Sequence, residues 1–123
     1  RSGMEPSDFL FHMKGKPLFK MASAMVEDFM ERILSQAGVT LAQIDTVVPH
    51  QASHLSLEHM RKRLSVTAEQ LVDIYATHGN QVAASIPSAL HEAIITDRFY
   101  GKSHVMLVGT AAGLALSAMV LVP

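Results

Sequence analysis

Cysteine is absent from all 123 residues, which excludes disulfides, zinc–thiolate sites and any thiol nucleophile within this chain. A cysteine-free chain agrees with a reducing cytoplasm without selecting it, because it fits either redox compartment. Aromatic residues are few, at 6%, and the net charge is only −1, so no basic surface argues for a nucleic-acid partner. No stretch has the positive flank and apolar core of a signal peptide. The longest apolar stretch, Val105 to Val122, is interrupted by Gly109, Thr110, Gly113 and Ser117; it reads as two buried strands, with no membrane span. An initiator methionine is lacking too: the chain opens Arg1-Ser2-Gly3 and reads as a piece of something longer. What is present is a 49% apolar composition with eight Met, enough for one domain with a real core of packed helix and sheet layers.

Strand-like and helix-like stretches alternate. Residues 8 to 13 read as a short strand or extended segment, stopped by Lys14-Gly15-Lys16-Pro17. From Phe19 to Ala37, apolar residues recur at Ala22, Met25, Val26, Phe29, Met30, Ile33 and Ala37, with Glu27, Asp28, Glu31 and Arg32 between them. That spacing predicts an amphipathic helix, closed by Gly38. A turn capped by Thr40 and a brief strand over 46–48 follow. Further helices are predicted over 54–64 and from about 83 to 98, the second with Pro87 in its first turn. Strands are predicted near 72–75, at 103–109 and at 114–122, the last two forming an antiparallel pair. The fold class is therefore α/β, a mixed five-stranded sheet with packed helices.

Two short strings carry the chemistry: Val48-Pro49-His50-Gln51-Ala52-Ser53 and His78-Gly79-Asn80-Gln81. Each places a polar side chain just after a predicted strand, and in open α/β sheets functional groups gather beyond the carboxyl ends of strands. Pro49 fixes its own φ and holds Val48 extended, so His50 can keep one tautomer and offer a ring N–H to an oxygen. Taken singly, His50 fits a turn histidine bonded to backbone, and Asn80 fits an ordinary turn residue. As a pair they offer an imidazole and a carboxamide to one developing oxyanion.

Pro49-His50-Gln51-Ala52 and His78-Gly79-Asn80, followed by Ala83-Ala84-Ser85-Ile86-Pro87 and Ala89-Leu90, resemble the C-terminal half of the 3-oxoacyl-[acyl-carrier-protein] synthase III family. Met13-Lys14-Gly15 and Leu18-Phe19-Lys20 match that family's entry to its long helix, and the strand–glycine loop–strand finish also matches. The resemblance spans nearly the whole chain. It implies that residues 1–123 are the C-terminal domain of a thiolase-like fold built from two similar halves. A nucleophilic Cys would lie in the absent N-terminal half.

The implied activity is decarboxylative Claisen condensation of an acyl-CoA with malonyl-ACP in fatty acid biosynthesis. The resemblance assigns His50 and Asn80 to bind the malonyl thioester carbonyl while carbon dioxide leaves, with His50 also helping to keep the Cys reactive. Coenzyme A thioesters enter as substrates, and no cofactor is implied. The implied partners are acyl carrier protein, the N-terminal half of the same polypeptide and a second copy in a cytoplasmic homodimer. Related acyl transfer, non-decarboxylating condensation and a non-catalytic partner subunit remain the alternatives. The 123-residue chain alone is expected to be inactive and to expose a face that packs on the other half.

Departures from the family pattern accompany the match. The final turn has Gly109-Thr110-Ala111-Ala112-Gly113 where the family has an aromatic residue and a run of glycines. The backbone N–H of Ala112 stays a candidate for stabilising the acyl tetrahedral intermediate, and Thr110 implies a differently shaped acyl pocket. Alone, this stretch also fits a tight β connection of small residues. Ser53 and Leu55 stand where the family has Asn and often Arg. Arg61, Lys62 and Arg63 form a cationic cluster that could dock an acidic carrier or a coenzyme A phosphate, or be a solvated helix face. Seven His, including His50, His54 and His59, come without a metal-binding spacing, so no metal site is expected.

Overall fold

The computed structural model describes the backbone of residues 15–111 and 115–123, and the side chains of 25–110 and 115–123. The expected extended segment at 8–13 lies outside these residues. Helix α1 spans Gly15–Ala37, beginning earlier than the periodicity predicts, with Pro17 tolerated in its first turn. Val26, Phe29, Met30 and Leu34 point into the core, and Glu27, Asp28, Glu31 and Arg32 face out. Met25, expected inside, is exposed. Gly38 ends the helix at φ +71. The Val39 N–H reaches the Leu34 carbonyl and the Gly38 N–H the Ser35 carbonyl, the bond pair of a Schellman stop.

A short 3₁₀ turn, Leu41–Gln43, leads into strand β1, Thr46–Pro49. Helix α2 is His54–Arg63, the one-turn helix α3 is Tyr75–His78, and helix α4 is Ser85–Ile95. Strands β2 (Val105–Ala111) and β3 (Ala115–Leu121) complete the described chain. Helix α4 stops before the predicted 98 because Asp97 takes a left-handed φ of +59. The Arg98 N–H then reaches back to the Ala93 carbonyl at 2.8 Å.

The sheet is mixed, in order β1-β2-β3, with β1 parallel to β2 and β2 antiparallel to β3. Among the described residues it has three strands, plus a single parallel bridge between Val47 and Leu71. That bridge is all that forms of the strand expected near 72–75. The Asp73 carboxylate turns the chain by accepting the Tyr75 N–H at 3.0 Å, and α3 begins there.

Alternation along the strands sorts the core into two layers. Val47, Met106, Val108 and Val120 face α1 and α2, joined by Met30, Leu57, Leu64 and Leu71. Val48, Val105, Leu107 and Leu121 face the other way, against Ala89 and Ala93 of α4. Those two alanines are fully buried and let α4 approach β1 and β2 closely. On the same side of β3, Met119 stays 57% exposed. Gly109 belongs to this close layer, since an added Cβ would meet Ile86 of α4 at 3.4 Å and the Ser117 hydroxyl at 2.6 Å.

Candidate active site

His50 is the first residue beyond β1. Its N–H donates to the Val108 carbonyl of β2 at 2.8 Å, and its carbonyl accepts the Ala52 N–H at 3.1 Å. The backbone of the turn is thereby held on both sides of the imidazole. The ring is half-buried, and burial holds its pKa below the ordinary 6.5, because desolvation disfavours the charged form. His50 is therefore neutral at physiological pH, with one ring nitrogen a donor and the other an acceptor.

Asn80 follows α3, which Gly79 closes at φ +64. Its side chain is fixed at both ends: Oδ1 accepts the Val82 N–H at 2.8 Å, and Nδ2 donates to the Ala52 carbonyl at 3.3 Å. The second Asn80 contact crosses to the turn that carries His50, so the two strings do converge at the carboxyl end of β1. An amide nitrogen has two hydrogens, and the Ala52 contact accounts for one. The other is the candidate donor to a substrate oxygen. Val82 holds φ +55 while 74% exposed, an unusual conformation for a β-branched residue. Backbone strain of this kind clusters at functional sites.

Two side chains of this region were not singled out by sequence reasoning. Gln51 is fully buried at 0% exposure and bonds to Pro49, Val72 and Ile74. Ser85, also fully buried, accepts the Gln81 N–H at 3.1 Å and so ties the Asn80 loop to the start of α4. The available signal was polarity in an otherwise apolar setting: Gln51 comes two residues after a buried strand, and Ser85 opens an apolar helix. A separate polar groove of about 350 Å³, lined by Asp45, Thr46, Thr67, Gln70, Arg98 and Lys102, opens at the opposite end of β1. It plays no part in the His50–Asn80 site.

The family model for the 3-oxoacyl-[acyl-carrier-protein (ACP)] synthase III C terminal matches residues 34–122. This chain belongs to that family. A β-ketoacyl-[acyl-carrier-protein] synthase III of Clostridium perfringens is 30% identical over 118 residues, covering 96% of this chain and 36% of that protein. One of Neisseria meningitidis is 36% identical over 109 residues, covering 89% of this chain and 34% of that protein. Among solved structures, the β-ketoacyl-[acyl carrier protein] synthase III of Thermus thermophilus superposes with a TM-score of 0.84 at 35% identity. That superposition covers 91% of this chain and 35% of the other. The chain thus spans about a third of the length of these relatives, and its fold is the thiolase-like α/β fold of synthase III structures.

The other residues expected at the site of this synthase III C-terminal chain fall in three groups. Thr110 is half-buried near the end of β2, paired with Leu116 of β3. It lies inside the strand, whereas a turn was expected at 110–113. Ala112 lies outside the described residues. The basic cluster is at the end of α2, where cations complement the helix dipole, and its charges are largely engaged within the domain. Arg61 bonds Glu58 in a fork at 3.1 and 2.6 Å, which lowers the Glu58 pKa and raises that of Arg61. Arg63 pairs with Glu27 of α1 at 2.7 Å, and Lys62 stands 3.9 Å from Glu58 with its side chain 71% exposed. Ser53 has a structural reason: it caps α2 by accepting the Ser56 N–H at 3.1 Å. Among the described residues, no three His, Asp or Glu gather as a metal set, and no helix is long and apolar enough to cross a membrane.

Proposed function

We propose that residues 1–123 are the C-terminal domain of a longer 3-oxoacyl-[acyl-carrier-protein] synthase III, which condenses an acyl-CoA with malonyl-ACP. The observation that carries this reading is the Asn80 carboxamide, anchored by Val82 and reaching the Ala52 carbonyl beside His50. In the proposed reaction a cysteine of the N-terminal half first takes the acyl group and releases coenzyme A. The malonyl donor then binds with its thioester carbonyl toward His50 and Asn80. Its carboxylate leaves as carbon dioxide, and the electrons of that C–C bond become an enolate whose oxyanion accepts from both side chains. The carbanion attacks the acyl carbonyl, a new C–C bond forms, and the thiolate leaves. Two neutral donors pre-set at one oxygen stabilise charge as it develops without reorganising.

In this reading the enzyme works as a cytoplasmic homodimer, with coenzyme A thioesters as substrates and no cofactor. Lys62 is the most exposed cation of the α2 cluster and is the proposed contact to an acidic carrier protein or a coenzyme A phosphate. The isolated 123-residue chain is inactive, because it has no cysteine.

The test is made on the full-length protein, incubated with acyl-CoA and malonyl-ACP while carbon dioxide release and 3-oxoacyl product are followed by mass spectrometry. Product that collapses in Asn80→Ala is expected. Acylated enzyme without carbon dioxide release would replace the proposal with simple acyl transfer, and a non-cysteine residue at the nucleophile position would replace it with a non-catalytic subunit.

A further inference from the structure

A parallel ladder alternates its bonds in a fixed order. Beside β1 it runs from the Val47 N–H to the Gln70 carbonyl at 2.8 Å, then from the Val72 N–H to the Val47 carbonyl at 2.9 Å. The next two bonds would join the N–H of residue 49 to the Val72 carbonyl, and the Ile74 N–H to the carbonyl of residue 49. Residue 49 is proline and has no N–H. The Val72 carbonyl, in a fully buried residue, would be left without its ladder donor, and an unsatisfied buried carbonyl is destabilising.

Gln51 supplies both bonds from its side chain. Its Nε2 donates to the Val72 carbonyl at 3.0 Å, and its Oε1 accepts the Ile74 N–H at 2.9 Å. Nε2 also donates to the Pro49 carbonyl at 3.0 Å, the acceptor that Ile74 would otherwise have used. The carboxamide is a peptide-like group set between two chains that would have paired directly. It replaces the continuing strand, which is why the strand expected near 72–75 shrinks to one bridge. On its other side the same chain end is pinned to β2 through the His50 N–H and the Val108 carbonyl, at 2.8 Å.

We propose that Gln51 is a positioning residue: its buried carboxamide ends the β1 ladder and sets the spacing between the His50 turn and the segment that runs through α3 to Asn80. The spacing is what allows an imidazole on one chain and a carboxamide on the other to reach one oxygen. A direct ladder would keep the two backbones at strand distance, about 4.8 Å. The functional readout of this inference rests on the proposed decarboxylation; the structural readout does not.

The experiment uses the full-length protein and compares Gln51→Met and Gln51→Glu with His50→Ala and Asn80→Ala. Three quantities are read: malonyl-ACP decarboxylation as kcat and KM, enzyme acylation from acyl-CoA by intact mass, and amide hydrogen exchange. Gln51→Met removes every bond while keeping length. It is expected to lower decarboxylation kcat about 10²-fold, the scale of a misplacement of about 1 Å, with KM changed less than about threefold and acylation lowered less than decarboxylation. The Ile74 amide and those of 50–53 and 78–82 should exchange faster, while α4 keeps its protection.

Gln51→Glu keeps the acceptor but sets a carboxylate against two carbonyl oxygens. Protonation restores one donor, so its decarboxylation profile should move toward acid relative to the parent. Decarboxylation and acylation falling in step with folded fraction would overturn the proposal, as would unchanged exchange at Ile74 and in the Asn80 loop. Full decarboxylation in His50→Ala and Asn80→Ala would overturn the functional reading instead, and the exchange data would still decide whether Gln51 sets the two loops.

Discussion

Replacing Asn80 with Asp separates the chemistry of its carboxamide from its local structural role. The Asn80 side chain does two things: Oδ1 accepts the Val82 N–H at 2.8 Å, and Nδ2 faces the Ala52 carbonyl at 3.3 Å. Asn80→Ala loses both. Removing one donor to a developing oxyanion costs about 10²–10³ in rate, and losing the Val82 bond costs about 1 kcal/mol of stability. Asn80→Asp keeps the acceptor for Val82 and so keeps the turn, but it loses the donor and adds a negative charge. At about 4 Å and an effective dielectric near 20, that charge opposes an enolate by about 4 kcal/mol, or three further powers of ten. The expected order of decarboxylation is Asn80, then Ala, then Asp, whereas the expected order of thermal stability places Asp above Ala. Malonyl-ACP decarboxylation and thermal melting of the full-length protein read the two orders. An Asp variant more active than the Ala variant would refute the reasoning, because it would mean that the turn matters and the donor does not.

Three shorter predictions follow from the same geometry. Burial holds His50 below its ordinary pKa of 6.5, so the unfolded chain protonates first as pH falls. The stability tied to neutral His50 is therefore present above about 6.5 and lost as pH drops through the folded value. Decarboxylation should fall as His50 protonates, with its acid limb below the ordinary 6.5, and an acid limb lying above that value in the full-length enzyme would contradict it. Ser53→Ala removes the cap that accepts the Ser56 N–H and should cost about 1 kcal/mol. Melting should register that loss while kcat stays unchanged. Lys62→Glu should raise KM for the carrier-bound donor several-fold at low salt, with the difference shrinking as ionic strength rises; a salt-independent effect would rule out carrier contact there.

Much of this fold was legible because local signals agreed with tertiary ones. The apolar spacing of α1, the left-handed Gly38 and the broken run from Val105 to Val122 each correspond to an element observed: a helix, its stop and an antiparallel pair. Legibility failed where a boundary depended on a non-glycine residue in the left-handed region. Nothing in the sequence marks Asp97 to end α4, or Val82 to open the turn after Asn80. The charge cluster was legible in position but not in state. Its partners Glu58 and Glu27 lie on two different helices, and only packing of α1 beside α2 brings Glu27 to Arg63.

The strand expected near 72–75 shows the same limit at the site itself. Val72 and Ile74 are apolar and buried, as a strand requires, and residues 70–72 begin a ladder with Val47. What stops the pairing is not in that segment. It is the proline at 49, which removes one donor, and the glutamine at 51, whose side chain supplies it from the side. A propensity reading treats Pro49 as a local constraint on Val48 and His50, and treats Gln51 as a polar residue in a turn. Only their combination, acting on a chain more than twenty residues away, parts the strand ends where the imidazole and the carboxamide leave them. His50 and Asn80 could be proposed from the sequence because their chemistry is local, while the residue proposed to space them acts across the sheet. Site support of this kind is best sought where a buried strand ends in proline and an amide side chain follows within two residues.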